Sequence, residues 1–95
     1  MPAYVHIHID VSDPEGFGRY QELARPTLKT YGARLLSKAK EPEMLEGERG
    51  HSVTVLFEFD DEAAAKRWYA SPEYAEAIEA RRGVATFITT LLPGQ

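Results

Sequence analysis

The sequence predicts an α+β fold, a four-stranded antiparallel sheet with its helices on one face. Two observations carry that expectation. Segments of strand character alternate with stretches whose apolar residues recur every three or four positions, in the order β-α-β-β-α-β. The chain also has only 95 residues, 43% hydrophobic and 27% charged, which is enough for one core. Residues 1–95 are therefore expected to form a single domain.

From Ala3 to Val11 the period is two: Val5, Ile7, Ile9 and Val11 fall on one face, and Tyr4, His6, His8 and Asp10 on the other. This is the first strand. Asp13, Pro14 and Glu15 follow as an N-cap, a first-turn proline and an acid near the positive helix end. Phe17, Tyr20, Leu23, Ala24, Leu28 and Tyr31 make the apolar stripe of the first helix, and Gly32 stops it. Pro26 removes an N–H and crowds the carbonyl of Glu22, so a kink or break is expected near Arg25.

Ala33 to Ala39 reads as the second strand, followed by the acidic loop KEPEMLEGERG, in which Glu43 to Glu46 could add a short extended piece. His51 to Asp60 is a third strand, with Val53, Val55, Phe57 and Phe59 on one face. Asp60 and Asp61 cap the helical run DEAAAKRWYA, where Ala64 and Trp68 share a face. Ser71 and Pro72 restart the helix, which ends at Gly83, and Val84 to Leu92 closes the chain as the fourth strand. This order is the ferredoxin-like, split βαβ arrangement. Its sheet has one face under helices and one bare. On the bare face we expect His6, His8 and Asp10, with Leu56 and Ile88 from neighbouring strands. That mixture is too apolar for plain solvent and suits face-to-face dimerisation.

The net charge of −4 argues against a nucleic-acid surface. The chain has no cysteine, so disulfide and thiolate chemistry are absent and any metal site must use histidine or carboxylates. No secretory leader pattern opens the sequence, and no apolar run approaches the roughly 20 residues that span a bilayer. A cytoplasmic location, with no nucleic-acid or membrane partner, is the expectation.

Taken together, DVSDPEGFGRY, YGARLL, MLEGE, FEFDDEAAAKRWYASPEY and RRGVA resemble the family catalogued as domain of unknown function 1330, within the dimeric α/β-barrel superfamily. The resemblance runs over essentially the whole chain, and WYASPEY with the EG after the glutamate-rich loop are its most specific parts. Family members often carry a second glycine after the position of Gly32, where this chain has Ala33. The resemblance implies a homodimer whose two sheets pack into a barrel, with a cavity between sheet and helices in each subunit. It implies no reaction, because the wider superfamily includes cofactor-free monooxygenases, lactone isomerases and haem-dependent enzymes.

Two histidines on one strand face, about 7 Å apart at Cα, have a spacing that metal sites use. A third ligand would have to come from His51 or Glu46, so the expectation is no metal, with His6 and His8 lining the dimer face. There is no GxSxG, no serine with a local base and no phosphate loop. The residues that could meet at a pocket are Arg34, Glu46, Trp68, Tyr69 and Arg81, with Tyr74 nearby. Arginine with flat rings is a lining for a small acidic or phenolic molecule. Each also has a plainer role. Trp68 suits a core anchor, Tyr69 and Tyr74 suit core or staple positions, Arg81 suits a helix C-terminus, and Arg34 with Glu46 suits an ion pair.

Three function classes follow. One is a homodimer binding an acidic or phenolic metabolite between the sheet and the second helix, with no cofactor. Another is a cofactor-independent enzyme, monooxygenase- or isomerase-like, working through histidine and glutamate. The third is an interaction module without a pocket.

Overall fold

The computed structural model describes residues 1–48 and 53–94. Strand β1 (Ala3–Val11) leads through Asp13 into α1 (Pro14–Thr30). Asp13 caps it by accepting from the Gly16 N–H at 3.2 Å. A side chain at Gly16 would collide with Val84, since an added Cβ lies 2.7 Å from its Cγ2. This glycine therefore lets the start of α1 sit against the start of the last strand, where Ser12 also bonds the Val84 carbonyl. Gly32 turns the chain out of α1 at φ +78°, a conformation L side chains rarely adopt.

Strands β2 (Arg34–Ala39) and β3 (Val53–Phe59) follow, then α2 (Glu62–Tyr69), α3 (Pro72–Ala80) and β4 (Ala85–Pro93). Asp61 alone caps α2, accepting from Ala64 N–H at 2.7 Å. Ser71 accepts from Tyr74 N–H at 3.1 Å and donates to the Trp68 carbonyl at 2.8 Å. The second helical stretch is thus two helices joined at Ala70–Ser71, and the element order is β-α-β-β-α-α-β.

The strands form one antiparallel sheet in the order β2-β3-β1-β4, the ferredoxin-like arrangement. Val5, Ile7 and Ile9 of β1 and Val53, Val55 and Phe59 of β3 lie buried under the helices with Trp68, Tyr74 and Ala77. No helix among the described residues is long and apolar enough to cross a membrane.

Two local expectations change. Helix α1 runs through Pro26 without interruption. Pro26 and Glu22 are exposed, so water can solvate the carbonyl left without its amide, while Ala24 and Thr27 are buried on either side. Residues 43–46 form no strand. Strand β3 is described from Val53, and His51, where it was expected to begin, lies outside the described residues.

Strand β2 is irregular, for its register on β3 shifts between Leu35 and Ser37. Leu35 pairs with Phe57 and Lys38 with Val55, which places both on the helix side, while Arg34 and Ser37 pair with Glu58 and Leu56 on the bare side. Regular alternation would have put Lys38 with Arg34.

Candidate functional site

The stripe of α1 does not close on the sheet. Beneath it lies a cavity of about 400 Å³ whose floor is Ile7, Ile9, Val53, Val55 and Phe57. Phe17, Tyr20, Ala24 and Leu28 of α1 form the roof, and Trp68 reaches in from α2 as an end wall. The rim carries Arg25 and Lys29, one turn apart on α1, and Lys38 on β2. Among the described residues no carboxylate lines it, although the chain holds 15 acidic and 11 basic residues.

Trp68 is held at both ends. Its side chain is buried, and its indole N–H donates to Thr27 Oγ1 at 3.0 Å, which in turn donates to the Ala24 carbonyl at 2.6 Å. Its ring lies against Tyr74, 4.3 Å between centroids. Because the polar edge is already satisfied, the ring acts as an apolar wall.

A polar cluster sits behind the roof. The hydroxyls of Tyr20 and Tyr74 are 2.7 Å apart, and Arg81 donates to the Tyr74 hydroxyl at 3.2 Å. The Arg81 guanidinium also lies over the Phe87 ring, 3.9 Å from its centroid. Burial pushes the Tyr20 phenol up from its ordinary value, and the adjacent Tyr74 adds to this; burial also raises Tyr74. Both hydroxyls stay protonated at neutral pH and behave as structural links between α1 and α3.

Of the residues singled out from sequence, the structure brings only Trp68 to this cavity. Arg34 lies on the opposite face of the sheet, bonded to Glu58 at 2.9 Å and to Asp60 at 3.0 Å, and Glu46 is exposed in the loop after β2. The expected pairing of Arg34 with Glu46 is replaced because Glu58 stands directly opposite it in the ladder. Tyr69 is 45% exposed and sets its ring beside Trp68 and Tyr74, outside this cavity. Arg81 stacks on aromatic rings. His6, His8 and Leu56 occupy the bare face, with the two imidazoles in edge contact at 4.3 Å. Among the described residues no three His, Asp or Glu side chains are grouped to hold a metal, and His51 lies outside them.

Arg25, Lys29 and Lys38 escaped the sequence reading. Arg25 and Lys29 flank Ala24 and Leu28 of the apolar stripe, a signal that marks a rim only if the stripe stands off the sheet. Lys38 reaches that side through the irregularity in β2, which no periodicity records.

A family model described as domain of unknown function (DUF1330) matches residues 2–95. Among curated proteins none matches. Among solved structures, the chain is similar to RPA0582, a protein of unknown function from Rhodopseudomonas palustris. The TM-score is 0.77 at 18% identity, covering 99% of this chain and 82% of that one. It is also similar to SnoaB, a cofactor-independent oxygenase from Streptomyces nogalater, at TM-score 0.70 and 15% identity, covering 99% and 93%. A dimeric ferredoxin-like protein of unknown function from Thermobifida fusca matches at TM-score 0.66 and 10% identity, covering 99% and 92%.

Proposed function

The chain belongs to the DUF1330 family, and from that premise we propose that it is a cytoplasmic homodimer binding a small acidic molecule with an apolar body under α1. The observation that carries this reading is the rim. Among the described residues, three cations and no carboxylate surround an apolar cavity in a chain whose net charge is −4. A carboxylate at the mouth would meet Arg25, Lys29 and Lys38 while its body displaced water from the half-buried Phe17, Leu28 and Phe57. The proposed site lies under the first helix, and of the residues proposed from sequence it uses Trp68.

The competing reading is a cofactor-independent enzyme, suggested by the likeness to SnoaB. Acid–base work would need a proton-moving group beside the bound molecule. The described lining offers neither histidine nor carboxylate, and Tyr20 is engaged with Tyr74. These features favour binding over catalysis.

Calorimetric titration with phenylacetate tests the reading. The parent should take up one equivalent per chain under α1, and Lys29→Ala/Lys38→Ala should weaken it by about tenfold or more, the loss expected for two charge-assisted contacts. Equal affinity in the two proteins would reject the cavity as an anion site.

A further inference from the structure

Trp68 also walls a second hollow. On its other side, between α2 and the strands β1 and β4, lies a groove of about 440 Å³. Val5, Ala65 and Leu91 line it, with Tyr69 and Lys66 of α2 also contributing. Thr89 of β4, paired with Ile7 in the ladder, belongs to the same wall. Its Oγ1 is buried and has no hydrogen-bond partner among the described residues. Buried hydroxyls are seldom left so, because the lost hydration goes uncompensated. Rotation about χ1 carries Oγ1 among the three staggered positions around Cβ, so a molecule in the groove can supply the missing bond.

We propose that this groove is a second ligand site, selective for a small neutral phenol whose hydroxyl bonds Thr89 Oγ1 and whose ring lies against Tyr69 and Leu91. The charge pattern separates it from the cavity under α1. Lys66, the single charged lining residue among those described, is exposed, and the buried polar group is a neutral hydroxyl. A carboxylate seated at Thr89 would lose its hydration for one neutral donor, whereas a phenol exchanges one hydroxyl bond for another at small cost. An aromatic ring also matches the accessible ring of Tyr69. The two sites thus share a tryptophan and prefer different charge states. This inference stands apart from the anion reading, because Lys29 and Lys38 do not line the groove.

The experiment uses phenol and toluene, which differ by the hydroxyl, followed by amide and indole N–H chemical shifts. Trp68 is the single tryptophan of the chain, so its indole resonance is unambiguous. Phenol should saturate the parent with shifts at Lys66, Thr89 and Leu91. Thr89→Val, which keeps the shape and removes the orphaned hydroxyl, should weaken phenol about two- to tenfold while leaving toluene unchanged or tighter. Lys29→Ala/Lys38→Ala should bind phenol as the parent does. Absence of saturable phenol binding, equal phenol affinity in parent and Thr89→Val, or shifts confined to Phe17 and Leu28 would each overturn the proposal.

Discussion

Trp68 connects sequence, stability and both hollows. Its indole is fastened through Thr27 to the backbone of α1, so the helix that roofs the cavity and the helix that supplies its end wall hold each other. Thr27→Val should cost about 1–3 kcal/mol by leaving the buried indole N–H without an acceptor. In a Trp68→Phe background the same change should cost much less, since no donor remains to be stranded. Urea denaturation of the four proteins of this cycle measures the coupling, and additive costs would show that the bond does not hold the helices together. Tyr20 and Tyr74 make a pH prediction. Their folded-state values lie above the ordinary phenol value near 10, so the native state keeps protons that the unfolded chain releases. Their contribution is present in full below about pH 10 and is lost as pH rises above it. Stability should therefore fall on the alkaline side, and the fall should be shallower in Tyr20→Phe, as followed by denaturation at stepped pH.

At the scale of elements, the capping residues were readable because they act within one turn. Asp13, Asp61 and Ser71 each bond an amide three residues ahead, as their sequence context indicates. Pro26 was read as a kink or break; the helix does not break there, since the missing amide would have bonded the carbonyl of the exposed Glu22. Pro26→Ala should restore that bond and stabilise the protein by about 2 kcal/mol, the helix penalty less the gain in unfolded-chain freedom. A thermal melt of the variant below that of the parent would show that the proline stabilises α1. Gly32 is the opposite case. Its positive φ makes Gly32→Ala costly by about 1–2 kcal/mol, measurable by the same melts.

The whole molecule is a thin slab, 33 × 31 × 15 Å in its Cα extents, with helices on one side and bare sheet on the other. Across that sheet run the rows Leu92, Tyr4, Glu58, Arg34 and Thr90, His6, Leu56, Ser37. Ile88 beside His8 is 47% exposed and Leu92 is 40% exposed. The two histidines thus belong to a mixed apolar and polar face of the kind that a second copy covers. Sedimentation should give about twice the 10.7 kDa chain mass. Leu56→Asp, in a central strand of that face, should shift the protein to monomer by burying an unpaired charge if the copies associate. A parent that sediments as a monomer at micromolar concentration would remove the interface from the proposed function.

The sequence by itself located the four strands of the sheet and the start of each helix, and it placed His6, His8 and Leu56 on a shared face. Those outcomes depend on neighbours two, three or four residues away, and the residue pattern contains them. Only the tertiary structure decided that β2 carries an irregularity bringing Lys38 beneath α1, that Glu58 and Asp60 answer Arg34, and that α1 stands off the sheet to leave a cavity. Each is set by residues distant in the chain, where register against a neighbouring strand and the bulk of Trp68 between helix and sheet determine which side chains meet.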